Sequence, residues 1–239
     1  MDVINPSDGL VVLVHGFLRT GASMALTGAR LKRQGWLPRQ VTQLNFHKEI
    51  PDLADSLYHH VLRMRDEADR RRGRPVSVHF VTHSMGGIVV RSMLARHSID
   101  GLNRVVMLAP PNRGARFAEH MYDQVFKLPW GGFDPLRKLL PGERGDCEGA
   151  GDPDAEIGII AGAPKKPSGF PWNMAKENPL DRAGDHDGKV TVDEARLAAA
   201  QDFLVLPYGH TWIMSWPSVI DQADAFLRTG AFDHAAARS

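Results

Sequence analysis

The sequence predicts an α/β protein with a mainly parallel central sheet of about six strands and helices on both faces. Short apolar runs recur along the chain, and segments with helical periodicity lie between most of them. The runs are apolar almost throughout, without the alternation of a half-exposed strand. Such strands are buried on both sides, which is typical of a parallel sheet between two layers of helices.

The predicted strands cover residues 10–14, 41–46, 76–82, 105–109, 157–161 and 203–206. One helix is indicated by apolar residues that step by three or four along one face, namely Leu53, Leu57, Val61, Met64 and Ala68. Other helices are expected before Gly35, directly after Ser84, and over 219–227. A chain of 239 residues without repeats or a linker predicts one domain spanning 1–239.

Two segments interrupt this alternation. Residues 111–154 contain an apolar, helix-like stretch directly after a strand, which predicts a helical cap or lid insertion over a pocket. An ordinary covering helix followed by a surface loop explains the same residues, and both interpretations stay open. Residues 164–185 are rich in Pro, Gly and Asn and predict irregular loop.

Composition excludes several classes of function. With 29 basic and 28 acidic residues the formal charge is +1, so no overall field favours nucleic acid or an anionic membrane. No stretch of about 18 apolar residues occurs, so no transmembrane segment is expected. The single Cys147 excludes an internal disulfide and a cysteine-rich metal site, and we expect no cofactor. Residues 1–8 lack the pattern of a signal peptide, which favours a cytoplasmic protein.

The pattern of residues 76–90 predicts a strand, a sharp turn at Ser84, and a helix. This arrangement exposes a serine oxygen at the end of a sheet as a nucleophile, which predicts acyl-transfer chemistry. The usual pattern is Gly-x-Ser-x-Gly, whereas Thr82 occupies the first glycine position here. The alternative is a buried strand followed by a glycine-rich helix start, with Ser84 only capping the helix.

A serine nucleophile needs an imidazole base and an acid that orients it, usually in the chain order serine, acid, histidine. His210 follows the last predicted strand. Asp187 precedes a glycine at a turn that follows the fifth predicted strand. Asp185 is a weaker candidate for the acid. His79 lies inside the serine's strand and His83 adjoins Ser84, so neither is expected to be the base.

An oxyanion hole requires two backbone N–H donors. One is the amide of Met85, directly after the serine. The first strand ends in His15-Gly16-Phe17, where the glycine permits a turn that could aim the Phe17 amide at the same point. Both donors are therefore predicted at the same edge of the sheet.

With these motifs the chain resembles the α/β-hydrolase superfamily, and within it the bacterial lipase- and esterase-like serine hydrolases, over about residues 8–228. The resemblance implies Ser84 as nucleophile, Asp187 as acid, His210 as base, and Phe17 and Met85 as oxyanion donors. It implies hydrolysis of a small ester or a lipid with an apolar acyl group.

The aromatic and aliphatic residues after 116, including Phe117, Met121 and Trp130, suggest an apolar acyl pocket. A thioesterase, amidase or acyltransferase would use the same residues. A binding protein that keeps the scaffold without turnover is a further alternative.

The loop that contains Asp185 and Asp187 can also be interpreted as a calcium site. Asp185, Asp187 and Glu194 stand at three positions of a calcium-binding loop. The first ligand position would be Ala183, which has no side-chain ligand, and Pro179 disfavours the preceding helix. We therefore expect no metal ligands, while the question of a calcium ion near Asp185 or Asp187 stays open.

Overall fold

The described residues form one sheet of six parallel strands. The computed structural model describes residues 9–17, 19–42, 48–121, 139, 141, 147, 150–151, 153–166, 178 and 180–238. The strands are β1 (Leu10–Val14), β2 (Leu37–Val41), β3 (Val78–His83), β4 (Leu102–Leu108), β5 (Glu156–Gly162) and β6 (Asp202–Leu206). Across the sheet they lie in the order β2-β1-β3-β4-β5-β6. The predicted fold class, with a parallel six-stranded sheet, is confirmed.

Five α-helices accompany the sheet in the described residues: α1 (Ala25–Arg33), α2 (Ile50–Arg72), α3 (Met85–Arg96), α4 (Arg116–Met121) and α5 (Pro217–Thr229). Three short 3₁₀ segments cover Gly21–Met24, Ile213–Ser215 and Ala236–Arg238. No helix in these parts of the chain has the length and apolar character needed to cross a membrane.

Alternate residues of each central strand enter two separate cores, because successive side chains of a strand point to opposite faces. Val12 and Phe80 pack on the face that carries α2 and α3. Leu13 and Val81 pack on the other face, with residues of α1 and α5. Burial on both faces explains why the central strands are apolar throughout and why the sequence predicts them well.

The second strand is displaced from its predicted position. The sequence predicts it over 41–46, whereas β2 spans Leu37–Val41 and residues 43–47 lie outside the described part of the chain. β2 is the edge strand beside β1, so it is only partly buried and tolerates Pro38 and Arg39. The prediction was wrong because an edge strand lacks the continuous apolar run on which the assignment depended.

The predicted lid falls largely outside the described residues. Within 111–154 the structure describes the start of the segment and helix α4, then residues 139, 141, 147, 150–151 and 153–154. Most of the irregular loop predicted over 164–185 lies outside as well, between residues 166 and 180. A lid therefore stays a prediction.

Candidate active site

Ser84 lies at the turn between β3 and α3 with a backbone conformation that is rare for a residue with a side chain. Its φ is 54° and its ψ is −129°. Such a conformation costs about 1 to 3 kcal/mol and persists only where the surroundings impose it. The Ser84 N–H donates to the Leu108 carbonyl at 2.9 Å, which ties the turn to β4. The Ser84 side chain makes no helix-capping hydrogen bond, so the alternative that this serine only caps α3 is wrong.

Three glycines allow the turn to pack tightly. A Cβ at Gly86 would lie 2.7 Å from the Val14 carbonyl oxygen, and one at Gly16 would lie 2.9 Å from the Ser84 Cβ. Because no Cβ is present at either glycine, the end of β1 packs directly against the serine turn. A Cβ at Gly87 would lie 3.3 Å from Thr82 Oγ1, so this glycine provides space for the threonine at the unusual position.

His210 and Asp187 reach Ser84 from two later segments of the chain. His210 Nε2 lies 3.0 Å from Ser84 Oγ, and His210 Nδ1 lies 2.8 Å from Asp187 Oδ2. Asp187 is 1% exposed and His210 5%. The hydroxyl, imidazole and carboxyl groups predicted from sequence therefore form one hydrogen-bonded chain at the carboxyl edge of the sheet.

The Asp187 carboxyl group is held by its own loop. Asp187 Oδ1 accepts hydrogen bonds from the backbone N–H of Lys189 at 2.9 Å and of Val190 at 2.8 Å. These two donors leave Oδ2 directed at His210. The His210 N–H in turn donates to the Asp187 carbonyl at 3.0 Å, so main chain and side chain both join the two residues.

Gly162, at the end of β5, gives this loop room to approach the sheet. A Cβ there would lie 2.2 Å from the Tyr208 carbonyl oxygen and 2.8 Å from the Asp187 Cβ. Sequence reasoning missed this residue. A glycine directly after an apolar strand was the available signal, because such glycines often mark a close approach of other backbone.

Glu194 fixes the far end of the loop instead of facing the reacting groups. Its carboxylate accepts hydrogen bonds from the backbone N–H of Thr191 at 2.8 Å and of Arg116 at 2.9 Å. The Glu194 N–H donates to Thr191 Oγ1 at 3.1 Å, which completes the reciprocal bonds of a capping box. In the described ranges, no three His, Cys, Asp or Glu side chains cluster closely enough to hold a metal ion.

His83 contacts the backbone of His210 instead of Ser84. Its Nε2–H donates to the His210 carbonyl at 2.9 Å, and the two rings lie 5.0 Å apart. Burial lowers the pKa of His83 well below its ordinary value, with the nearby His210 and Arg19 charges adding to this. His83 is thus a neutral residue that supports the backbone of the candidate base.

His79 lies elsewhere in the strand, with its Nε2 3.0 Å from Ser77 Oγ, and burial lowers its pKa to about 4.

The two predicted oxyanion donors lie on the segments that flank Ser84. Met85 is the first residue of α3, where backbone N–H groups have no partner within the helix and carry partial positive charge. Phe17 follows Gly16, whose backbone packs against the Ser84 side chain.

Of the predicted substrate-binding residues, Phe117 is nearly buried and packs against Leu180 and Ala183. The Met121 side chain and all of Trp130 lie outside the described residues.

Comparison with known proteins agrees with this architecture. Residues 5–112 match the family model described as "Putative serine esterase (DUF676)". No curated protein matches the sequence.

Several solved structures share the fold at low sequence identity. The mature Bacillus licheniformis lipase BlEst2 is 19% identical with a TM-score of 0.71, covering 95% of each chain. Phospholipase PlaB from Legionella pneumophila is 18% identical with a TM-score of 0.61, covering 93% of this chain and 57% of that one. The metagenomic carboxyl esterase MGS0156 is 18% identical with a TM-score of 0.60, covering 85% and 65% respectively. The fold and these matches together show that the chain has the α/β-hydrolase fold.

Proposed function

We propose that the protein is a serine hydrolase that cleaves carboxylic esters through an acyl-enzyme on Ser84. The observation that carries this proposal is the unbroken chain of hydrogen bonds from Ser84 through His210 to Asp187. A serine hydroxyl becomes an effective nucleophile when an oriented imidazole can accept its proton. The strained turn at Ser84 supports the same role, because it holds Oγ at the edge of the sheet.

In the first half-reaction, Ser84 Oγ attacks the acyl carbon while His210 Nε2 takes the hydroxyl proton. Asp187 keeps the other imidazole proton on Nδ1 and stabilises the imidazolium that forms. The N–H groups of Met85 and Phe17 are the proposed donors to the developing oxyanion. When the carbon–oxygen bond of the ester breaks, His210 returns its proton to the leaving alcohol.

In the second half-reaction, a water molecule loses a proton to His210 and attacks the acyl carbon bound to Ser84. Collapse of the tetrahedral intermediate releases the carboxylic acid, and Oγ regains its proton from His210. A carboxylic ester is proposed over a thioester or an amide because the matched family is described as serine esterases, and the neighbours are a lipase, a phospholipase and a carboxyl esterase.

We further propose that the chain forms one domain with a lid over about 111–154, and that Phe117, Met121 and Trp130 contribute to an apolar acyl pocket. The burial of Phe117 against Leu180 supports apolar packing at the start of this segment. A panel of p-nitrophenyl esters of increasing acyl length tests the pocket. We expect kcat/KM to rise with chain length, and a rate that is independent of chain length would contradict an apolar acyl site.

The Ser84→Ala variant tests the nucleophile. We expect turnover of p-nitrophenyl esters to fall by several orders of magnitude, as it does when the nucleophile of a serine triad is removed. Ser98→Ala, which alters an exposed serine in the loop after α3, is the matched control and should retain full activity. An unchanged rate in Ser84→Ala would refute the assignment.

A binding protein on the same scaffold is distinguished by a fluorophosphonate probe, which labels activated serines. Peptide mapping should place the label on Ser84 in the wild type, and Asp187→Ala should label more slowly. A protein that takes no label and cleaves no ester would be a binding protein instead.

A further inference from the structure

Two cationic side chains flank the candidate active site. Arg19 lies two residues beyond Phe17, and its Nη2 donates to the Thr211 carbonyl at 2.6 Å, directly after His210. Its guanidinium also stands 5.6 Å from the centre of the Trp212 ring. Lys189 lies two residues beyond Asp187, and its backbone N–H is one of the donors that fix the Asp187 carboxyl group. Arg19 is thereby held beside His210, and the Lys189 ammonium group lies near enough to Arg19, Asp187 and His83 to interact with their charges.

Neither cation has an acidic partner in the described residues. No carboxylate oxygen there lies within 4.0 Å of Arg19 or Lys189. Other partly buried arginines of the protein do have such partners: Arg30 pairs with Asp221, Arg104 with Glu156, and Arg228 with Asp224. Arg19 and Lys189 differ from these three arginines in having no such pair within the described residues.

The environment of the two cations is unfavourable without a counter-ion. Both side chains are partly buried. Burial, aided by the nearby Arg19 charge and opposed by Asp187, lowers the pKa of Lys189 to about 8. Burial also lowers the pKa of Arg19. Desolvated like charges destabilise each other, and an anion bound between or beside them would offset this.

The chemistry of Arg19 suits an oxyanion. A guanidinium has five N–H donors in a planar array that matches carboxylate and phosphate groups. The hydrogen bond to Thr211 uses one donor, and the remaining donors have no acceptor in the part of the chain that the structure describes. The contacts with Thr211 and Trp212 hold the guanidinium in place, so little ordering is needed when an anion binds.

We propose that Arg19 and Lys189 form an anion-binding subsite beside Ser84, so that the preferred esters carry a carboxylate or phosphate group near the scissile bond. This inference rests on the proposed function, since it assigns the substrate class of that site. The anionic group would contact Arg19 and Lys189 while the acyl carbon faces Ser84 Oγ.

The test compares matched ester pairs at neutral pH and constant ionic strength. One pair is monoethyl glutarate and its neutral amide analogue, ethyl 4-carbamoylbutanoate. The other pair is acetylated glycerol phosphate and acetylated glycerol. Charge-assisted hydrogen bonds of about 1.5 to 3 kcal/mol predict a preference of about tenfold or more in kcat/KM for the anionic member of at least one pair. The pair that responds identifies whether carboxylate or phosphate is recognised.

Substitutions assign the preference to the two side chains. Lys189→Met and Arg19→Gln should each reduce the ratio of anionic to neutral kcat/KM by about fivefold or more, chiefly through KM. Lys189→Arg keeps the charge and should retain much of the ratio. Lys32→Met and Arg33→Gln remove the same charges from exposed positions on α1 and should leave the ratio unchanged.

The outcomes separate this proposal from the proposed function. A protein that labels with fluorophosphonate and cleaves esters, but shows no anionic preference in either pair, refutes the subsite alone. The same conclusion follows if the preference survives in both Lys189→Met and Arg19→Gln. A protein that neither labels nor cleaves refutes both proposals. Fluorophosphonate labelling of each variant confirms that its site is folded, and Lys189→Met decides the question if Arg19→Gln does not fold.

Discussion

Replacing Lys189 by methionine is expected to stabilise the protein at neutral pH. Burial lowers the pKa of this lysine from 10.5 to about 8, aided by the Arg19 charge and opposed by Asp187. A lowered lysine pKa means that the folded chain holds the charged ammonium less favourably than the unfolded chain does. Methionine keeps the length of the side chain and removes the charge, so it removes this unfavourable contribution.

The size of the effect follows from the two pKa values. The difference between 10.5 and about 8 corresponds to at most about 3 kcal/mol of unfolding free energy at pH 7. Because the side chain is partly exposed, water screens much of this, and we expect a gain of about 1 kcal/mol. Between the two pKa values the unfolded state binds more protons than the folded state. The wild type should therefore gain stability as pH rises through that window, and the advantage of the variant should shrink.

Urea unfolding at about pH 7 and about pH 10 measures both quantities. Lys189→Met should be more stable than the wild type at the lower pH, with most of the difference lost at the higher pH. Lys32→Met, at an exposed position, should change stability little at either pH. A Lys189→Met variant that is less stable than the wild type at neutral pH, or whose gain in stability does not depend on pH, would contradict this prediction.

Three further substitutions test individual contacts. Asp187→Asn should reduce kcat about 10⁴-fold in stopped-flow ester hydrolysis. The amide oxygen would keep the hydrogen bonds from the backbone N–H groups, so the NH₂ group would face His210 and force the imidazole into the wrong tautomer. Gly162→Ala should lower kcat/KM at least tenfold because its Cβ would clash with backbone, whereas Gly209→Ala, with 3.6 Å of clearance, should keep activity. Thr82→Val should raise the unfolding free energy by about 1 kcal/mol in thermal denaturation, since the buried Oγ1 has no hydrogen-bond partner in the described residues.

The parts of the fold that the sequence predicts well are those with a strong local signal. β1 and β3 carry continuous apolar runs because each is buried on both faces, and their predicted and observed limits agree within about two residues. The serine turn was recognised because a strand, small residues and a helix follow one another directly. His210 is predicted because it follows the last strand closely, and Asp187 because it precedes a glycine at a turn in the long segment after β5.

The parts that escaped prediction depend on contacts between distant segments. β2 is an edge strand that pairs with β1 through its backbone, so its polar residues gave no periodic signal. The clearance at Gly162 depends on where Tyr208 passes, and the support that His83 gives to His210 crosses 127 positions of the chain. A single sequence does not contain the distances that define such roles.

Several residues at the carboxyl edge of the sheet have energetically unfavourable features, and their shared position argues for a functional site. Ser84 has a strained backbone. Among the described residues, the buried Thr82 hydroxyl has no hydrogen-bond partner. Lys189 and Arg19, in the segments that follow Asp187 and Phe17, have no acidic partner in this part of the chain. Each feature lowers the free energy of unfolding. The apolar layers on both faces of the sheet contribute enough stability for the chain to fold despite these features. Features that reduce stability persist where function requires them. These unfavourable features lie at the edge that holds Ser84 independently of the serine motif, so motif and energetics support the same site separately.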